Sequence, residues 1–252
     1  MDTQRVLATT SARPWLVPDR PWVMAQVWQK LLFAHWPVAP EIVRPHLPPA
    51  VPLDTFDGQA WVGVVPFLMD GVHFRGTPGF PTARHFAELN VRTYVTVDEK
   101  PGVYFFSLDA GSRLAVFGAR TLFALPYYWA RFAITTRADR ISYRCERVDN
   151  APASMPRAVF EARYWPTGPA QRADPGSLAD WLTARYCLYT TRGSRLLRGE
   201  IHHAPWPLQP AAAEIIHNTM TAPVNIPLPA TAPLLHYAER LEVLVWPLRQ
   251  VR

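Results

Sequence analysis

Polar and apolar positions alternate most cleanly between Phe86 and Val97, in FAELNVRTYVTV. A period of two puts Glu88, Asn90, Arg92 and Tyr94 on one face of an extended strand and Leu89, Val91, Thr93 and Val95 on the other. The DEKPG stretch at 98–102 reads as a turn into a second strand, Val103 to Asp109, and the two form a hairpin. Val51 to Leu53 and Ala60 to Met69 read as strands upstream. Met24 to Trp36 fits a strand and a helix equally well on periodicity, and a short helix from Pro40 to Arg44 follows it. Leu114 to Leu125 carries Phe117, Thr121 and Ala124 at helical spacing and meets a stop at Pro126. Phe132 to Val148 and Ala158 to Tyr164 predict a second antiparallel set. Ser177 caps a helix over Leu178 to Tyr186, with Asp180 three residues on, and strands at Arg195 to His203 and Arg240 to Pro247 finish the chain.

These elements predict one α+β domain over 22–252, mainly antiparallel β with a few helices. Residues 1–21 read as an arm: Pro14, Pro18 and Pro21 oppose regular structure, and Trp15 offers a pin to the body. Composition supports this picture, since 27 prolines and 10 tryptophans suit short strands joined by loops better than a helix bundle. No apolar run is long enough to span a membrane, and the first residues lack the apolar core of a signal peptide. A soluble, cytoplasmic protein without a membrane partner is the expectation. Cys145 and Cys187 stand in apolar contexts without paired spacing and read as reduced, buried thiols, Cys187 in the core of a helix. The net charge is +6, but the arginines that dominate it are scattered, so no nucleic-acid partner is predicted.

Candidate chemistry centres on the polar face of the Phe86–Val97 strand. If that face lines an interior, Glu88 supplies an acid or base and Arg92 a guanidinium; if it faces water, it is an ordinary exterior. His85 lies just ahead of it. Tyr127 and Tyr128, placed after the helix-stopping Pro126, either donate hydrogen bonds to a carbonyl or simply pack. Arg120 either clamps a carboxylate or holds its helix to an acid such as Asp109. Of the two lysines, Lys100 sits in a solvated turn and Lys30 in VWQKLLF, where it either snorkels or enters a pocket. The eight histidines show no metal-ligand spacing, and the adjacent His202 and His203 point to opposite faces of a strand, so no metal site is predicted. GxSxG, GxxxxGK[ST] and GxGxxG patterns are absent, which leaves hydrolase and nucleotide-binding readings without support.

The stretch from Gly118 to Tyr128, GARTLFALPYY, resembles the Gly-Arg-Glu…Tyr-Pro-Lys-Lys segment of acetoacetate decarboxylases, with Arg120 and Pro126 at the corresponding places. The stretches LLFAHWPV, AELNVRTYV, FFSLDA, LPYY and EVLVWPL resemble the YqjF-like family of that superfamily, over about Trp22 to Val251. The resemblance implies a barrel- or cone-like antiparallel architecture with flanking helices and a central pocket. It implies a proton-handling role for Glu88, which stands where the decarboxylases place a pocket glutamate. Lys30 falls near a substrate arginine of those enzymes. Tyr127 and Tyr128 replace the two lysines, and because a phenol cannot form an iminium, Schiff-base decarboxylation is not expected. The resulting expectation is a protein that binds a keto acid or other carbonyl compound in a central cavity. Lyase-like proton transfer would fall to Glu88 and Tyr127, with Arg120, Tyr128, Arg92, Lys30 and His85 holding the ligand and no cofactor needed. The alternative is a non-catalytic binding or regulatory module on the same scaffold. An exposed sheet edge would make self-association reasonable.

Overall fold

The computed structural model describes residues 1–77, 85–149 and 157–251. Its sheet contains β1 (Met24–Val38), β2 (Ala60–Phe74), β3 (Phe86–Val97), β4 (Lys100–Ala110), β5 (Tyr127–Arg137), β6 (Arg140–Arg147), β7 (Val159–Pro166), β8 (Cys187–Arg192), β9 (Arg195–His203), β10 (Gln209–Asn218), β11 (Leu234–Val245) and β12 (Arg249–Gln250). The helices are short: α1 (Thr3–Ala8), α2 (Pro40–Val43), α3 (Arg113–Phe123) and α4 (Leu178–Thr183).

The sheet closes twice. One ring runs β1-β2-β3-β4-β8-β9 and returns through β11; the other runs β1-β2-β3-β4-β5-β6-β7-β10 and returns through the same β11. β4 and β11 are therefore forks. The first half of β4 pairs in parallel with β8 through Val103 and Tyr104, and its end pairs in parallel with β5 through Leu108 to Ala110. β11 pairs with β10 near its start and with β9 at its end. The strands β11, β1, β2, β3 and β4 form a wall common to both rings, and successive side chains along that wall enter different interiors.

This explains the sequence pattern of β3, which is buried along nearly its whole length. Leu89, Val91 and Val95 pack into the larger ring with Tyr143, Phe160 and Tyr164. The opposite face, Glu88, Asn90 and Arg92, enters the smaller ring. The ambiguous Met24–Trp36 segment is a strand whose periodicity is broken by a bulge at Lys30, which adopts a positive φ of 51° where the β1–β2 register shifts. Before the bulge Gln26 and Trp28 face the smaller ring, and after it Leu31 does.

Several boundaries differ from the expectation. The β3–β4 turn is two residues, Asp98 and Glu99, both at positive φ, so β4 starts at Lys100 inside the DEKPG stretch. The helix expected to reach Tyr186 stops at Thr183, and Cys187 is not a helix residue but the buried first residue of β8, opposite Glu200. β10 escaped prediction because its half-exposed, alanine-rich sequence carries little alternation. The arm is not free of regular structure: Asp2 caps α1, which buries Val6. Arg13 and the Trp15 indole both donate to Glu200 on β9.

Gly102 marks the tightest approach at the β4 fork. A methyl added there would lie 2.6 Å from the carbonyl oxygen of Cys187 and 2.7 Å from the Tyr189 ring. Gly102→Ala is expected to force β8 away from β4 and to lower stability by about 1–3 kcal/mol, measured as a reduced midpoint in urea denaturation. An unchanged midpoint would mean that the parallel pairing tolerates a wider gap.

Candidate functional site

The smaller ring encloses a cavity of about 360 Å³, within the ~300–1,000 Å³ typical of small-molecule sites. Each of its seven strands contributes to the lining. Most of the wall is apolar or aromatic, including Trp28, Phe67, Phe105, Leu108, Leu188 and Trp206. Helix α3 covers one side. Ser112 caps its first turn, Ala124 ends it in the left-handed conformation, and Ala115, Gly118 and Ala119 present small side chains to the cavity.

Two groups of polar side chains interrupt the apolar wall. At the first, Glu88 on β3 lies beneath the start of β5, and the Tyr127 hydroxyl donates to its Oε2 at 3.1 Å. The β4–β5 pairing sets this geometry, since it brings Tyr127 opposite Leu108 while Leu108 is itself opposite Asn90. Glu88 is 2% exposed. Burial pushes its carboxyl from 4.5 up to about 8; the Tyr127 hydrogen bond opposes the rise and the charge of Asp109 adds to it. Burial also raises the Tyr127 phenol well above 10, with the neighbouring Glu88 adding to the effect. At neutral pH both groups are predominantly protonated, and the pair can give or accept a proton near pH 8.

The second group centres on Arg92 toward the other end of the same face, with Asn90 midway between it and Glu88. The Arg92 Nη2 donates to the Leu182 carbonyl at 3.3 Å, and its guanidinium lies over the rings of Phe33 and Tyr94. Arg185, just after α4, lies over Tyr94 as well and is paired with Asp54 at 2.8 Å. Arg92 has no acidic partner among the described residues. Arg92 Nε, Arg185 Nη2, His203 Nε2, Asn90 Oδ1 and Trp28 Nε1 are buried polar atoms, on cavity-lining residues, that meet no hydrogen-bond partner in the protein. Burial holds His203 at about 4, so this imidazole is neutral. Buried polar atoms are ordinarily satisfied, and their recurrence along the cavity wall suits a polar ligand.

The residues singled out from sequence divide accordingly. Glu88, Arg92 and Tyr127 line the cavity; Arg120, Tyr128, Lys30 and His85 do not. Arg120 donates through Nε to the Tyr127 carbonyl and through Nη2 to Asp149, both at 2.6 Å, so it ties the end of α3 to the residue that reaches Glu88. Asp109 is engaged instead by a two-point contact from Arg147, whose guanidinium stacks 3.9 Å above the Tyr128 ring. The Lys30 ammonium donates to Thr136 on β5, outside the smaller ring, and Lys100 reaches Glu200. His85 is paired with Asp70 beside a separate shallow depression formed partly by Phe132 and Ile134. Arg185 and His203 were not among the candidates. The adjacency of His202 and His203 did carry a usable signal: in β9 one faces the cavity while the other contacts the Val6 carbonyl of α1. Among the described residues no three His, Cys, Asp or Glu side chains cluster as a metal site. No helix there is long and apolar enough to cross a membrane.

A family model described as DUF2071, an uncharacterized conserved protein, matches residues 25–242. The chain belongs to this family. It is 49% identical over 234 residues to the uncharacterized protein YqjF of Bacillus subtilis (strain 168), covering 93% of this chain and 95% of that one. Among solved structures, the DUF2071 chain is similar to acetoacetate decarboxylase from Legionella pneumophila, with a TM-score of 0.61 and 12% identity over 98% of this chain and 95% of the other. The enduracididine biosynthesis enzyme MppR complexed with pyruvate gives the same TM-score at 11% identity, covering 94% and 93%. The fold is thus acetoacetate decarboxylase-like. At these identities the likeness speaks for the fold alone.

The raised Glu88 carboxyl has a stability consequence with a definite sign. Its folded value, about 8, exceeds its ordinary 4.5, so the native state holds a proton that the unfolded chain has released, and stability falls as pH rises across that window. Glu88→Gln removes the penalty. The variant is expected to gain melting temperature relative to wild type as pH goes from 5 to about 8, with the difference smallest at the acid end. A difference independent of pH would place the Glu88 carboxyl in an ordinary, ionised state.

Proposed function

We propose that the cavity of the smaller ring binds a small organic acid or carbonyl compound and that Glu88 and Tyr127 carry its proton chemistry. The observation that supports this most directly is the hydrogen-bonded Glu88–Tyr127 pair, buried in a largely apolar cavity that also contains Arg92, which has no acidic partner among the described residues. With a ketone bound beside the pair, the Glu88 carboxylate would accept the proton from the carbon next to the carbonyl. The C–H electron pair would move into an enolate, whose oxygen the Tyr127 hydroxyl would stabilise by hydrogen bonding. Reprotonation by the Glu88 carboxyl returns the pair to its starting state. This is lyase-like proton transfer without a covalent intermediate. Neither lysine lines the cavity, which favours such a scheme over iminium chemistry.

The reading is tested by following hydrogen–deuterium exchange at the α-carbon of small ketones and keto acids by NMR. Exchange is expected to rise with pH to a plateau, with a midpoint near the Glu88 value of about 8, and Glu88→Gln should abolish it. Tyr127→Phe should slow exchange while leaving ligand affinity within about a factor of three, because it removes a contact strengthened as charge develops on oxygen. No exchange above the buffer rate, with ligands that do bind, would instead identify a non-catalytic binding module. The absence of a cavity lysine is equally consistent with that second reading.

Sodium borohydride added in the presence of acetone or pyruvate is expected to leave the protein mass unchanged. A reduced adduct on Lys30 or Lys100 would overturn the assignment of chemistry to the carboxyl–phenol pair.

A further inference from the structure

The two polar groups of the cavity stand at opposite ends of a single strand face. Glu88 and Arg92 are four residues apart on β3, which separates their Cα atoms by about 13 Å. The strand register orders the wall between them. Glu88 lies opposite Phe67, Asn90 opposite Val65 and Leu108, and Arg92 opposite Gly63 and Phe105. Tyr127, on the strand that follows α3, reaches the Glu88 end. The Arg92 guanidinium is held away from that end by the Leu182 carbonyl and by the rings of Phe33 and Tyr94, and the guanidinium of Arg185 shares the Tyr94 ring with it. Gly63, opposite Arg92, leaves room for the neighbouring His35 ring, which a methyl there would meet at 2.9 Å.

A compact keto acid cannot bridge these poles. In acetoacetate the carboxylate and the ketone are separated by one carbon, so its carboxylate at Arg92 would leave the carbonyl no farther along the face than Asn90, remote from Glu88. The walls along this span, Phe67 at the Glu88 level, Val65 and Leu108 midway and Phe105 at the Arg92 level, are apolar apart from Asn90 and match a hydrocarbon segment with one polar contact on its way. Arg92 is buried without an acidic partner among the described residues, a state that favours an anion at that end. Resting on the functional reading above, we infer that the ligand is an elongated amphipathic monocarboxylic acid. Its carboxylate is bound at Arg92, and its carbonyl or hydroxyl group lies about six to ten carbons away, at Glu88 and Tyr127.

Isothermal titration calorimetry with acetoacetate, 5-oxohexanoate, 7-oxooctanoate and 9-oxodecanoate tests the inference. Affinity is expected to rise along the series and to exceed that for acetoacetate by about tenfold or more at the optimum. Octanoate should bind more weakly than 7-oxooctanoate in wild type, and Tyr127→Phe should narrow that difference. Arg92→Met should reduce binding of 7-oxooctanoate by about tenfold or more while changing binding of its methyl ester by less than about threefold. The ester comparison reads the carboxylate contact within one folded variant. If Arg92→Met does not fold, comparing the acid with the ester on wild type still reports whether an anion is selected. Acetoacetate binding as tightly as the longer acids would overturn the elongated-ligand inference and leave the functional reading standing. If no acid or ketone of any length binds, both fall.

Discussion

Everything else in the molecule depends on the wall shared by its two rings. A sheet with one face to solvent needs only one apolar face, but β1, β2, β3 and β4, and β11 outside its exposed Glu239 and Arg240, face protein on both sides. Each must therefore satisfy two interiors with alternate residues. In the larger ring the demand is met by packing: Tyr143, Phe160 and Tyr164 fill it together with Leu89 and Val91. That filled ring is the firm support against which the other can remain open. Because the residues entering the cavity belong to strands whose opposite faces are locked in a dense core, Glu88, Asn90 and Arg92 are held on rigid backbone rather than on loops.

The same arrangement accounts for the electrostatics. Burial raises both Glu88 and Asp109, but Glu88 has no cation beside it among the described residues, whereas Arg147 at 2.6 Å opposes the rise at Asp109, nearby on β4. Two neighbouring carboxyls thus have different tasks. Asp109 and Arg147 join β4 to β6, while Glu88 is left to its hydrogen bond with Tyr127. Arg92 and Arg185 show a parallel division: Arg185 is matched by Asp54 and helps fix the chain after α4, and Arg92 is not matched by an acid among the described residues. In each pair the group that a carboxylate or guanidinium partner leaves alone is also one that lines the cavity.

How much of this was readable follows from where each constraint originates. The β3 alternation was legible because both of its faces obey a period of two without interruption, although the sequence could not say whether the polar face met water or an enclosed space. The Met24–Trp36 segment was ambiguous for a specific reason: the Lys30 bulge shifts the pattern midway along the strand. The forks at β4 and β11 were hidden, since pairing partners are set by chain segments far apart in sequence. For the same reason Arg185 and His203 were not assigned to the site, and GARTLFALPYY pointed to Arg120, Tyr127 and Tyr128 when only Tyr127 of those three enters the cavity. The proline-stopped helix was correctly placed, yet its arginine serves the backbone carbonyl of Tyr127 rather than a ligand.

The Lys30 bulge has one further implication. It acts as a reading-frame shift in three dimensions: upstream, even-numbered side chains of β1 enter the cavity, and downstream, odd-numbered ones do. Losing that one extra residue would straighten the strand into a single period of two, with Trp28, Leu31 and Phe33 on the cavity side and Leu32 and Ala34 still in the larger ring's core. Losing a residue elsewhere in the strand, with the bulge kept, would instead turn the part beyond it inside out. The bulge is therefore the place in β1 where a change of length costs least.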